Sequence, residues 1–485
     1  MAHSPLSFEA GITAGLNNPT LQIALDRNAE RRIAGRNLVF ADMAQAEDVR
    51  DRGRAIRINT LARLDEYLVQ FADNVERNGG HVHWAADAAE AREIIFGLVR
   101  GAVAGRPEGQ SGPPMVAKSK TMISEEIGLN HALEAAGAQA IETDLGEFIV
   151  QLRGEPPSHL ISPAVHLRRE DVSELFQTRF AMPPTLDIEQ MTDVARVELR
   201  RAFFTADVGL SGVNFGVAET GTLTLVTNEG NGRLCTSVPR VHIALMGIER
   251  LVPTLADLEV MLRLLPRSAT AQKLSTYTSL LTGPRRPGEP DGPQEMHVVL
   301  LDNGRSRALG GELAESLLCI RCGACLNVCP VFREIGGHAY GSPYGGPIGS
   351  VVSTALFGTE FSQLANASTL CGACKDVCPV RIDIPTMLLA VRGQYRASGQ
   401  APAWLRLGMA GWAWTMAGQT RYQLAQKLSA LGTRLLGRDG RLRWLPPPLD
   451  RWTRRRDFPV FAASTFHDRW RKRHAGRPRP PSGQA

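Results

Sequence analysis

The chain has 485 residues, enough for two or three domains, and its 43% hydrophobic content is ordinary for a globular protein. Its formal charge of +6 is uneven: from Arg451 to Ala485 ten Arg and Lys stand against two Asp, a local +8 that leaves about −2 for the body. No run reaches the roughly 18–20 apolar residues that a spanning helix needs. The start carries no secretory h-region, so a secreted disulfide scaffold is not expected and a reducing cytoplasm is the expected compartment.

Residues 1–75 read as an N-terminal helical region, because apolar residues recur at steps of three and four between Ile58 and Leu68. Residues 76–303 alternate short strands with helices, which predicts an α/β domain with a largely parallel sheet. Its expected strands include Met115–Ala117, Ala140–Glu142, Leu160–Ile161, Thr222–Thr227, Val241–Met246 and Met296–Leu301. Its expected helices include Glu125–Ala136 and Leu255–Leu265. His81, His83 and Trp84 are expected in a packed strand, His242 as a satisfied core histidine, and Glu249-Arg250 as a surface pair. Gly283–Gly292 reads as a loop.

Residues 304–400 form a mainly α-helical cysteine module, with helices at Leu313–Leu318 and Thr386–Tyr395 and a glycine-rich loop, Gly336–Gly349, between its two cysteine runs. Residues 401–470 read as a small helical C-terminal region broken at Pro446-Pro447-Pro448, and 471–485 as a disordered basic tail. Leu407–Ala417, with Trp412 and Trp414, is too short to cross a bilayer. Burial within the protein is expected for it, with peripheral contact at a membrane surface as the alternative.

Seven of the eight cysteines fall in two runs, Cys319-x2-Cys322-x2-Cys325-x3-Cys329-Pro330 and Cys371-x2-Cys374-x3-Cys378-Pro379. A C-x2-C-x2-C turn wraps three thiolates onto one iron–sulfur cube, and the fourth Cys reaches the neighbouring cube. That crossing assigns Cys319, Cys322, Cys325 and Cys378 to a first 4Fe-4S cluster, and Cys329, Cys371 and Cys374 to a second. Ser368 stands where the second set would have its fourth Cys. Serine oxygen, water and Cys235 are all open as the fourth ligand, as is a three-iron cluster. A four-cysteine zinc site is the rival, but zinc modules carry separated pairs. Cys235, alone, reads as a small buried hydrophobe.

A ligand crevice is expected at the strand ends of the α/β domain. Lys118, Ser119 and Lys120 follow a strand, Ser124, Glu125 and Glu126 open a helix, and Glu219, Gly221, Asn214 and Asn228 complete the group. An N-cap role for Ser124 is the plain alternative. No G-x-G-x-x-G follows a strand, so dinucleotide binding by that route is unsupported.

Val116–Asn130, Glu142–Glu147, Gly154–His159, Ala218–Leu223, Thr227–Asn231 and His297–Arg305, followed by the two cysteine runs and Arg456–Pro459, resemble the lactate-utilization protein B family over about residues 50–470. The resemblance implies a LUD domain similar in fold to ribose-phosphate isomerases and CoA transferases. It implies two partners, a cysteine-rich redox subunit and a second LUD-domain protein, which together with this chain oxidise L-lactate to pyruvate without a nicotinamide. Ser368 fits the family pattern. The expected function is therefore an iron–sulfur electron-transfer subunit. A relay for another 2-hydroxy acid such as glycolate, and an iron–sulfur sensor or scaffold, are the alternatives. The sensor would need a DNA-reading element, and with no helix-turn-helix in view no nucleic-acid partner is expected.

Overall fold

The computed structural model describes residues 8–106, 111–447, 449–453 and 456–475. The chain divides into two compact units, Met1–Ala397 and Ser398–Ala485.

The first unit is built on strands β1 (His81–Ala85), β2 (Met115–Lys118), β3 (Gln139–Glu142), β4 (Val208–Gly212), β5 (Phe215–Val217), β6 (Thr222–Thr227), β7 (Val241–Gly247), β8 (Leu251–Val252), β9 (Tyr277–Leu281) and β10 (Glu295–Leu301). Six of them form one sheet in the order β1-β10-β7-β4-β2-β3, with every neighbouring pair parallel. Both faces of such a sheet must be covered, which is why β7 and β10 are almost continuously apolar. One face carries Val116, Val208, Leu210, Val241, Ile243, Leu245, Val299 and Leu301, packed with Ala91, Ile95 and Val99 of the helix Ala88–Ala104. The opposite face presents Ala244, Met246, Met296, Val298 and Leu300 to a second core. A smaller sheet, β8-β5-β6-β9, contributes to that core.

The N-terminal helices belong to the same core. In Leu64–Arg77 the residues Leu64, Leu68, Phe71, Ala72 and Val75 fall on one stripe and are buried. Full burial of a side chain such as Phe71 is worth about 1.5–3 kcal/mol. Arg57, in the helix Ala46–Ala62, is also fully buried and spends its guanidinium on carbonyls: Leu251 and Glu249 from the sheet side, Leu317 and Leu318 from the cysteine module.

Three local expectations are corrected. The helix expected over Glu125–Ala136 is two, Met122–Glu126 and Leu129–Ala135, parted at Gly128, whose φ of +60° breaks the run. Leu160–Ile161 is a bend, because the His159 ring Nδ1 accepts the Ile161 and Ser162 N–H groups and turns the chain. The glycine-rich loop is shorter than expected, since a helix, Gly346–Phe357, begins inside it.

The second unit holds the helices Ala403–Met416, Gln419–Leu436 and Phe466–His474 and a two-strand ladder, Arg441–Leu442 with Phe458–Pro459. The Trp412–Trp414 helix is not buried as expected. None of its residues is buried, and Trp412 and Trp414 remain more than half exposed. The basic tail begins as helix, because Arg471–His474 close the segment Phe466–His474 behind a Thr465–Asp468 capping box. Residues 476–485 lie outside the described residues.

Candidate metal centre and cleft

Each cysteine run turns sharply at a left-handed glycine, Gly323 (φ +70°) in the first and Gly372 (φ +87°) in the second. Cys319, Cys322, Cys325 and Cys378 line one cavity, together with Leu160, Ile320, Ile348, Val380, Ile382 and Ile384. This is the crossed set expected from the spacing. The cavity wall is almost wholly apolar. Backbone N–H groups point at the sulfurs, Arg321 to Cys319 Sγ and Ile382 to Cys378 Sγ, each at 3.4 Å. Burial pushes the Cys378 thiol up to about 11 and holds Cys322 and Cys325 well above their ordinary value. Thiols packed this way ionise only against a cationic centre, and the donor set fits iron.

Cys329, Cys371 and Cys374 form the other set. Burial lifts Cys374 to about 12, with Cys329 and Cys371 adding to the shift. Cys371 is exposed, and the Ala373 N–H lowers its pKa. Ser368 Oγ accepts the Leu370 N–H at 3.1 Å in a local turn. Cys235 is removed as a fourth ligand. It is fully buried among Ala117, Phe148 and Phe176, 3.3 Å from Thr143 Oγ1, in a core separate from the other seven cysteines.

At the carboxyl ends of β2, β4 and β7 a cleft of about 1210 Å³ opens, the place where open parallel sheets hold ligands. Ser119, Lys120 and Thr121 follow β2 into it, and Asn214, Asn228 and Asn231 face it from β4–β7 connections. Arg27, Arg31 and Arg32 enter from the helix Pro19–Ala41, and Arg321 and Tyr344 from the cysteine module. Among the described residues, nine cationic side chains line it against four carboxylates. Leu160 lines both the cleft and the first cysteine cavity.

The expected crevice residues are only partly gathered. Ser119 lines the cleft. Lys118 lies behind it, fully buried, with Nζ 2.5 Å from Glu142, 2.6 Å from Ser124 Oγ and 3.2 Å from Glu125. Burial opposes its charge, but the Glu142 and Glu125 carboxylates outweigh burial and hold its pKa up. Ser124 donates to the Thr121 carbonyl, so it is no N-cap. Glu147, next to this group, is pushed well up by burial. Glu219 and Gly221 are elsewhere: Glu219 accepts the Leu255 N–H, and Gly221 abuts Asn74 in the smaller sheet's turn.

Other residues fall as follows. His81, His83 and Trp84 lie on the edge strand β1, which is not packed as expected, His81 and Trp84 being exposed; His83 Nε2 is 3.2 Å from His297 Nδ1, and the His81 ring stacks on His297. His242 is a core histidine, but only half satisfied: its Nε2 shares a 2.8 Å hydrogen bond with Ser211, while its buried Nδ1 has no hydrogen-bond partner. Glu249 is not a surface residue. It is buried, and Arg305 Nε meets its Oε2 at 2.5 Å, while the other two Arg305 nitrogens grip Glu126 at 2.8 and 2.9 Å. Tyr344 OH and Asn303 complete Glu126. Burial would raise Glu249, yet Arg305, Arg250 and Arg321 bring it down to about 2. This network joins the sheet to the cysteine module; Glu126 was expected only at a helix start beside the crevice, and Arg57, Arg305, Arg321 and Tyr344 were not singled out by sequence. The one local hint was a charged residue, Arg321, inside the Cys319–Cys322 turn.

The fold and the two cysteine sets define an iron–sulfur protein built on an α/β domain. Residues 68–301 match the LUD domain, 315–382 the 4Fe-4S dicluster domain, and 388–475 the C-terminal region of lactate utilisation protein B. The dicluster match sets zinc aside. The chain is 42% identical over 464 residues to lactate utilization protein B of Bacillus licheniformis, covering 95% of each chain. It is 43% identical over 469 residues to that of Anoxybacillus flavithermus, covering 96% of this chain and 97% of the other. It is 40% identical over 466 residues to that of Bacillus subtilis, covering 95% of each. The chain belongs to the lactate utilization protein B family. Among the described residues no helix is long and apolar enough to cross a membrane.

Proposed function

We propose that this chain is the iron–sulfur electron-transfer subunit of a complex that oxidises L-lactate to pyruvate. The observation that supports the reading is that Cys378, from the second run, lines one cavity with Cys319, Cys322 and Cys325, while Cys371 is exposed. Cys319, Cys322, Cys325 and Cys378 would hold one 4Fe-4S cluster. Cys329, Cys371 and Cys374 would hold the other, and Ser368 stands where a fourth cysteine would be. When bound, such clusters take up and release single electrons, whereas oxidising a 2-hydroxy acid releases two electrons and two protons.

The chain's own residues shape that relay. Ile320, Ile348, Val380 and Ile382 keep water from the first set. Arg50 donates to the Cys378 carbonyl at 2.8 Å and Arg36 to the Val377 carbonyl at 2.9 Å, placing positive charge beside the thiolates. Exposed Cys371 gives a redox partner its nearest approach. The partners are a cysteine-rich redox subunit and a second LUD-domain protein of the lactate-utilization set, in a reducing cytoplasm.

In the assembled complex, Cys322→Ala should abolish delivery of electrons from L-lactate to an artificial acceptor while the circular dichroism of the α/β domain is retained. Undiminished delivery in that variant would refute the relay.

A further inference from the structure

We infer that the cleft at the carboxyl ends of β2, β4 and β7 is an oxyanion-binding site, anchored by Arg250, Arg321 and Lys120, that takes a carboxylate- or phosphate-bearing organic molecule. This goes beyond the relay reading, since it gives the chain a ligand of its own.

The first observation is a charge left over in a buried network. Arg250, Arg305 and Arg321 face Glu126 and Glu249. Arg305 uses both carboxylates, through two bonds to Glu126 and one to Glu249. What is left to Arg321 and Arg250 is Glu249 at 3.7 and 3.8 Å, beyond hydrogen-bond reach. Two guanidiniums thus share one carboxylate already engaged elsewhere.

The second observation is orphaned donors. The Arg321 side chain is 7% exposed, lies over the Tyr344 ring at 4.3 Å, and its buried Nη1 has no hydrogen-bond partner. Lys120 Nζ is likewise buried without one, with Glu147 3.9 Å away. Arg250, Arg321 and Lys120 all line the cleft. Buried cationic donors are ordinarily satisfied, and a carboxylate or phosphate supplies the acceptors these lack.

The first cysteine set has cations of its own away from the cleft. Arg50 and Arg36 reach the carbonyls of Cys378 and Val377, and Arg57 those of Leu317 and Leu318. Arg250 and Arg321, by contrast, line the cleft. Its volume, about 1210 Å³, far exceeds a three-carbon acid, and Leu160, Ile161 and Leu265 offer an apolar wall. The anionic group is the anchor, and the body of the ligand lies along that wall.

The test uses the full chain, assembled anaerobically with its iron, titrated by calorimetry with L-lactate, inorganic phosphate and ADP at matched ionic strength. Saturable binding of L-lactate alone assigns a carboxylate ligand; binding of phosphate or ADP assigns a phosphate ester. In either case Arg250→Gln and Lys120→Met should weaken binding at least tenfold with iron content unchanged. Arg321→Gln sits between two cysteines, so it is read only if its iron content is retained. No saturable heat with any of the three probes, or equal affinity in Arg250→Gln and Lys120→Met, overturns the inference. Neither result bears on whether the clusters relay electrons.

Discussion

Replacing Arg305 by Met tests the joint between sheet and cysteine module. The side chain is almost fully buried between Glu126 and Glu249, and Met keeps much of its volume while removing three charge-assisted hydrogen bonds. Two carboxylates are then left buried with less positive charge. Glu249 is held at about 2 against an ordinary 4.5, a gap worth about 3 kcal/mol at roughly 1.4 kcal/mol per unit. Arg250 and Arg321 share that lowering and remain in the variant, so the magnitude is taken from the cost of breaking a buried ion pair by removing one partner, about 3–5 kcal/mol, that is about 4 kcal/mol. With unfolding entropy of about 2.1 cal/mol/K per residue, the unit Met1–Ala397 should lose about 5 °C in apparent melting temperature. Circular dichroism melts at one scan rate and pH 7 measure it. The sign with pH is fixed as well. Wild-type stabilisation from Glu249 is present above about 4.5 and is lost as pH falls towards 2, so the deficit of the variant should shrink as pH is lowered to 4. A loss under about 1 kcal/mol, or a deficit that grows in acid, would refute the network's role.

Ser368→Cys should add a fourth thiolate to the second set and change the EPR spectrum of the reduced protein; an unchanged spectrum would show that this corner is already closed. Cys378→Ala should lower bound iron through the first set although it belongs to the second run, whereas loss confined to the second cluster would break the crossed assignment. His242 is pushed by burial down to about 4 from 6.5, so stability should fall as pH drops through that window, by up to about 3 kcal/mol from this group. His242→Asn should flatten the profile between pH 6.5 and 4; an unaltered slope in urea melts would contradict the assignment.

The gathering of Cys319, Cys322, Cys325 and Cys378 at one cavity was legible because its pattern is local: three of these cysteines sit within seven residues, and the fourth follows from the Cys-Pro ending of the other run. The parallel sheet was legible because buried strands such as Val241–Gly247 are apolar throughout. The buried ion network was not, because its members meet across the fold, Glu126 and Arg305 being 179 residues apart, and because Glu249-Arg250 has the composition of a surface pair. The crevice was half right for a similar reason. Ser119, Asn214 and Asn228 reach the cleft from strand ends, but Glu219 and Gly221 belong to a turn of the smaller sheet, a separation set by which sheet each strand joins. The Glu125–Ala136 helix was misread because one glycine at positive φ outweighed an otherwise helical pattern.

The most direct test of the relay is EPR on the anaerobically purified chain, with iron and sulfide counted, before and after adding L-lactate, alone and with the candidate partners. Clusters reduced by lactate only when the partners are present is the expected result. Reduction in the isolated chain would place the carbon chemistry here, and no reduction under either condition would remove lactate as the electron source.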